Sequence, residues 1–421
     1  MVLELLHGLP LALTQAGSYM RETNVLASTY AKHYDSTWGR LMKKQERFPL
    51  EEYGDRSVLT TWTISYEQVR KQSEEAAWLL KLWGFLDNGE LWYELVAACN
   101  DLAAETDVPT WLLEVAKDEL SFAEVMGLLS CYSLVDGKEG TEGHSMHSVL
   151  HRWCSSLVEE EERAKLGCLA TALVASNVPL ESDTEFWKKR KRMMAHGLRV
   201  SGWIVTECKS GGEGAVEALM QPGSFYSLGY LLNEEDRQRA EQMYQRALAG
   251  YEKASGPQHT STLDTVNNLG LLYADLGRLE EAEQMYQRAL AGYAKAIYLD
   301  NLLTCVPALN NMWAFASLRQ GQGRIEDARH WYSHALLGYE KTFGERSEKC
   351  QTLRDNLAAL ASEEGEEEGE GELDVSTNIA SVQRYTSTYS EVGVRLPPAK
   401  LAPRRNRLLR KLRWKQKQGK A

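Results

Sequence analysis

The sequence predicts a mainly α-helical protein, with a helical N-terminal region, a short α-solenoid and a disordered C-terminal tail. Three observations predict it. Residues Ala240–Tyr251 read AEQMYQRALAGY, Ala282–Tyr293 read the same string forty-two positions later, and Ala328–Tyr339 carry a weaker copy, ARHWYSHALLGY. Self-similarity at a fixed period marks stacked hairpins. Apolar residues elsewhere recur at three and four, the spacing of one helix face. Hydrophobic content of 43% and charged content of 25% are ordinary for a globular chain, whereas Glu363–Glu372 holds seven Glu and three Gly and can bury no core.

The array is read from its best-kept unit. Val266, Leu269, Gly270 and Tyr273 precede Gly277, then Ala282, Tyr286 and Ala289. This spacing, V-x2-L-G-x2-Y and A-x3-Y-x2-A, resembles the tetratricopeptide repeat. Gly270 and Ala282 let the two helices of a hairpin approach. Tyr273 and Tyr286 fill space between hairpins, Gly277 supplies the turn, and Ala289 receives the next hairpin. The forty-two-residue length, with Gly256-Pro257-Gln258-His259 before the helix, is similar to the kinesin light chain subclass. The first copy has a degenerate first helix near Phe225–Leu232. In the third, Trp313 is aligned with Gly270, which predicts a splayed or repacked hairpin. A fourth first helix is expected around Thr352–Leu357. Stacked hairpins present a groove lined by first helices, so Asn267, Leu271, Ala274, Asn310 and Asp355 are the expected partner-binding residues.

The N-terminal region carries a second resemblance. Gly8-Leu9-Pro10-Leu11-Ala12 opens a helical run to about Glu22, with Leu9, Leu13, Ala16 and Met20 on one face. Proline suits a first helical turn, where its missing N–H costs nothing. The string resembles the GLPLA segment of NB-ARC ATPases, the nucleotide-switch (STAND) module of NOD-like and plant resistance proteins, above all the fungal ones. Residues 55–100, with Ser57–Tyr66 and Ala76–Leu86, are similar to the winged-helix part that follows this module. Glu119–Ser133 is expected as a helix, Tyr132–Val135 as a short strand, and Asp136–Gly143 as a turn. His144–Cys154 then resembles the family's "MHD" region, with Ser148 where the Asp usually stands. The resemblance implies that Pro10 packs on the adenine of ADP and that His147 reaches its β-phosphate. His144, His147, His151 and Cys154 also offer the N and S ligands zinc takes. Four ligands from one helix and its leading turn rarely converge on a point, and no metal is expected.

The P-loop pattern G-x-x-x-x-G-K-[ST] is absent from the sequence. The phosphate-binding parts are expected upstream of Met1, and the chain is expected to be a truncated or degenerated relative. Catalysis is therefore not expected, and ADP is a cofactor only together with the missing P-loop portion.

Net charge is −11, but residues 374–421 alone hold 12 basic and 2 acidic residues. The acidic body excludes a nucleic-acid-binding core and leaves only the basic stretch 404–417 for that role. Lys188–Arg192 (KKRKR) is read as a solvated helix face, with a nuclear signal as the alternative. Seven scattered cysteines without a C-x-x-C indicate reduced thiols. No apolar run is long enough to span a membrane, and the opening MVLELLHGLPLALTQAG lacks the basic start of a signal peptide.

These readings divide the chain into an NB-ARC-like end (1–50), a winged-helix-like domain (51–158), a helical connector (159–220), repeats (221–362), and an acidic linker with a basic tail (363–421). The expected function is a non-enzymatic, cytoplasmic scaffold for a protein or peptide ligand, with self-association as a further mode and the nucleus as the alternative location.

Overall fold

The computed structural model describes residues 2–6, 9–43, 56–104, 106–180, 183–209, 216, 219–296 and 302–363. The described residues all fall in one compact unit, within Met1–Glu364. The expectations for the tail lie outside the described residues.

The N-terminal region is built around one helix. After α1 (Val2–Leu5), α2 (Pro10–Thr23), α3 (Ala27–Lys43) and α4 (Arg56–Gln72) comes α5 (Glu74–Trp83). Ser73 caps α5, accepting from the Ala76 N–H at 3.0 Å, and Glu74 and Glu75 complement the dipole in the first turn. Ala76, Ala77, Leu79, Leu80, Leu82 and Trp83 are all buried. A helix apolar on most sides must be surrounded. It packs against α4 and against α8 (Thr110–Val115), α9 (Glu119–Cys131), α10 (Ser148–Ser156) and α11 (Glu160–Ser176). Shorter α6 (Tyr93–Ala97) and α7 (Cys99–Leu102) lie between.

The helix ends at Gly84, and a backbone lies against that residue. A Cβ there would stand 2.8 Å from the Ser155 nitrogen and 2.9 Å from its Cα. Gly84→Ala is expected to cost about 1–3 kcal/mol through overpacking against main chain that cannot move alone. Gly127→Ala in α9, where nothing lies within 4 Å, is expected to be neutral or to stabilise by up to about 1 kcal/mol. Urea unfolding of the two variants checks the contrast.

The strand pairing begins later than expected. Ser133 turns the chain with φ +52°, and Gln15 of α2 donates to its carbonyl at 2.8 Å, so Tyr132–Val135 is not a strand. β1 (Asp136–Gly137) and β2 (His144–Ser145) pair antiparallel, Asp136 opposite Ser145. Leu91 bridges His144 on the other side, through bonds of 2.7 and 2.8 Å. The order is thus helix, extended residue, helices, hairpin.

His151 of α10 is buried, and its Nε2–H donates to the Trp83 and Leu86 carbonyls, both at 2.9 Å. Burial first, then Arg199, holds its pKa below the ordinary value. Cys154 is also buried, 3.7 Å from the Met146 sulfur. These two side chains are committed to packing. Cys99, Cys131, Cys154 and Cys350 carry free thiols. Tryptophan is only partly core. Trp62, Trp83, Trp92, Trp153 and Trp331 are buried, whereas Trp187 is 68% exposed.

The connector joins the two halves of this unit through α12 (Phe186–Lys209). The basic run there is not simply a solvated face. Arg190 is buried, donating to the Leu231 carbonyl at 3.2 Å and pairing with Glu234. Arg192 pairs with Glu90 at 3.0 Å and lies 3.7 Å over the Trp92 ring. Only Lys188, Lys189 and Lys191 of the run are exposed. His196, 1% exposed, accepts from the Asp87 N–H at 3.1 Å and donates to the Glu90 carbonyl at 2.9 Å.

Three hairpins and a final helix follow: α13 (Pro222–Leu232) with α14 (Arg237–Ser255), α15 (Thr260–Asp275) with α16 (Leu279–Ala296), α17 (Val306–Gly321) with α18 (Ile325–Phe343), then α19 (Glu348–Glu363). Each helix packs on its successor. Gly277 and Gly323, at φ +73° and +72°, make the same left-handed turn inside the second and third hairpins.

Candidate functional site

Recurring contacts set the register of the hairpins. A glycine of each second helix lies against a residue of its own first helix: Gly250 against Pro222, Gly292 against Leu263, Gly338 against Leu309. One residue on, the Tyr293 hydroxyl donates to Asp264 and the Tyr339 hydroxyl to Asn310. Gly229 faces Tyr244 as Gly270 faces Tyr286. The first hairpin therefore packs like the second, and its first helix is degenerate only in residue type.

This register corrects the alignment of the third hairpin. Asn310 corresponds to Asp264, Trp313 to Asn267, and Ala316 to Gly270. A small residue stands at the close approach, so the hairpin is not splayed. Tyr332 sits where Tyr286 does, its hydroxyl within 3.0 Å of Ser317 and Gln320.

The register also explains a cleft. Between the first and second hairpins, Asn268 donates to the Tyr226 hydroxyl at 2.9 Å and bridges α13 to α15. One hairpin further on, the positions of Tyr226 and Asn268 are held by Asn267 and Ala314. Asn267 turns inward, 7% exposed, and accepts from the buried Asn311 amide at 2.9 Å. Ala314 is too short to cross. A cleft of ≈ 520 Å³ remains between α15 and α17, two adjacent first helices. Leu271, Leu279, Trp313 and Leu318 supply apolar wall, with Ala274 and Ala314 between them. Leu271 is 40% exposed and Leu279 39%, so the apolar wall of the cleft is open to solvent. Asn310, Ser317 and Asp275 bring polar groups. Because the Asn310 oxygen accepts from Tyr339, its amide N–H2 is the free donor. Tyr286 lies in the lining, and burial first and the Asp275 carboxylate second push its phenol above the ordinary pKa.

The expected site residues fall into two groups. Leu271, Ala274 and Asn310 meet in the cleft. Asn267 is turned into the α15–α17 contact, and Asp355 lies exposed on α19, accepting from Gln351 at 2.9 Å. Trp313, Ala314 and Asp275 were not read from the sequence. Carrying the forty-six-residue spacing of Ala282 to Ala328 into the first helices, from Asn267 and Leu271, would have found Trp313 and Ser317. Pro10 is exposed at the start of α2. His147 is exposed as the cap of α10, its Nδ1 accepting from the Val149 N–H at 3.3 Å. Among the described residues no hydrogen bond, ion pair or ring contact joins Pro10 to His147.

Successive helix hairpins that cross at a small residue against a tyrosine are the pattern of tetratricopeptide repeats, and the chain carries them. The family model Tetratricopeptide repeat matches residues 224–295. Among solved structures, the chain is similar to BtubC (BKLC) from P. vanneervenii, with 18% identity over 53% of this chain and 100% of that one, at a TM-score of 0.33. It is also similar to a single-substitution form of a Podosopora anserina protein described as a kinesin light chain with nearly identical TPR-like repeats. There the identity is 14%, over 55% of this chain and 97% of that one, at a TM-score of 0.34. No curated protein matches the chain. No described helix is long and apolar enough to cross a membrane.

Proposed function

We propose that this chain is a protein-interaction scaffold that holds a partner protein or peptide on the first-helix face of its repeats. The observation that carries this reading is the apolar, partly exposed cleft between α15 and α17, where Leu271 and Trp313 are left without the bridge that closes the preceding gap. Apolar pockets with a few convergent polar groups are the usual binding sites of a fold. Ala314→Trp fills the cleft from its wall. Full-length chains with and without this change, immobilised and exposed to an extract of the source cells, are compared by quantitative mass spectrometry. The expected result is loss of the retained proteins from the variant, with its helical content and melting unchanged. Retention of the same proteins by both would overturn the reading.

A more specific reading sees the N-terminal region as the winged-helix end of a NOD-like, STAND-type signalling protein. Supporting it are the GLPLA and Met-His strings and the order of helix, bridge at Leu91, helices and the β1–β2 hairpin. In this reading the repeats are the sensor and the chain acts without nucleotide. Titration with ADP and ATP by calorimetry separates it from a nucleotide switch: micromolar binding by this chain alone would favour the switch, with Pro10 and His147 as contacts. A kinesin-light-chain-like adaptor is the remaining alternative, resting on the forty-two-residue period.

A further inference from the structure

We infer that the cleft selects an extended peptide segment in which a large apolar side chain neighbours a lysine or arginine. This rests on the recognition reading above and names the partner's chemistry. The apolar side chain is assigned from the walls. Leu271, Leu279 and Trp313 face one another across small Ala274 and Ala314, leaving room for a bulky group at the centre. An extended backbone is assigned from Asn310, whose amide N–H2 is available to a peptide carbonyl once its oxygen has taken the Tyr339 hydroxyl.

The cation is assigned from charge. Asp275 is the single charged residue of the lining. It ends α15, at the negative end of the helix dipole, where the Leu272, Tyr273 and Ala274 carbonyls are capped by the N–H groups of Leu276, Arg278 and Gly277. A carboxylate there is placed against the helix dipole, and the fold does not compensate it. Among the described residues no lysine or arginine pairs with that carboxylate. Arg237 approaches the Asp275 carbonyl at 3.5 Å, not the carboxylate. Arg278, the next basic residue along the chain, is held by Glu241 and Glu281. A cation brought by the ligand meets the unpaired Asp275 carboxylate, and an acidic ligand is repelled by it.

The test is selection of a randomised ten-residue peptide library on the full-length chain, followed by affinity measurement with fluorescein-labelled peptides from the selected pool. The expected pool is enriched in Leu, Phe or Trp beside Lys or Arg. Asp275→Lys is expected to weaken the best peptide about fivefold or more and to favour peptides with Glu at the cationic position. Ala314→Trp is expected to abolish binding of the whole pool. Peptides that Ala314→Trp releases but that carry no cationic preference, or that Asp275→Lys leaves unchanged, would overturn this inference and leave the recognition reading standing. Peptides that bind equally to the Ala314→Trp variant, or no selected peptide at all, would overturn both. Asp275→Asn, with affinity between wild type and Asp275→Lys, separates loss of attraction from disturbance of α15.

Discussion

Glu283→Ala is expected to destabilise the protein by about 2–3 kcal/mol, and more than Arg319→Met does. Arg319 lies on α17 with its side chain 2% exposed, although it is a full charge. Its two terminal nitrogens donate to the two Glu283 oxygens of α16 at 2.8 and 2.6 Å, and one also reaches Gln322 at 3.0 Å. The guanidinium lies 4.6 Å over the Phe315 ring. Removing Glu283 leaves that charge buried without its main partner. Asp327, 3.9 Å away, softens the loss. Arg319→Met instead replaces the buried charge by an apolar chain, and Glu283, 25% exposed, is left within reach of water. That change is expected to cost about 1 kcal/mol or less. Urea unfolding of both single variants and the double variant gives the pairwise term. Equal losses from the two single changes would contradict this account of the second and third hairpins.

The same contact ties the repeated string to its function in the stack. Glu241 and Glu283 are the second residue of each AEQMYQRALAGY copy. Glu241 takes Arg278 of the next hairpin through two bonds of 2.9 Å, as Glu283 takes Arg319. The duplicated helices therefore latch the first hairpin to the second and the second to the third, while the cleft proposed for a partner lies on the less regular first helices.

Acidification from pH 6.5 to 4 is expected to remove on the order of 3 kcal/mol of stability through His196 alone. Burial pushes its pKa down to about 4, against the opposing pull of the Asp87 and Glu90 carboxylates and with the help of Arg192. Above pH 6.5 the imidazole is neutral folded and unfolded, and its contribution is fully present. As pH falls, the unfolded chain takes up the proton first, and the loss is complete once pH passes the folded value. Protonation would also turn the nitrogen that accepts the Asp87 N–H into a donor. His330, likewise pushed by burial to about 4, adds in the same direction. Urea midpoints at pH 7 and 4.5 for wild type and His196→Gln check this. The variant is expected to start lower at pH 7 and to lose less on acidification; parallel losses would contradict it.

How much of this was legible follows from where the partners lie. The hairpins were legible because Gly270, Gly277, Ala282 and Tyr286 each act on a neighbour at fixed spacing. The frame of the third hairpin was misread because the pair Asn267-Asn268 resembles Asn310-Asn311 in letters, whereas packing equates Asn310 with Asp264. The cleft went unread for the same reason, since it exists only where Ala314 replaces a bridging Asn. The KKRKR run was legible as charge. Its division into Arg190 and Arg192 as clamps and three exposed lysines depends on Leu231 and Glu90, distant in sequence. His151 and His196 carry no sequence signal, because the groups they bond are backbone.

The measurement that tests the central claim most directly is site-specific photo-crosslinking in the full-length chain. A photo-reactive amino acid replaces either Leu271, in the cleft between first helices, or Gln284, exposed on second helix α16. The expected result is a protein or peptide crosslinked at position 271 and not at 284, competed away by a peptide selected on the chain. Crosslinking at 284 with none at 271 would contradict the claim that first helices carry recognition.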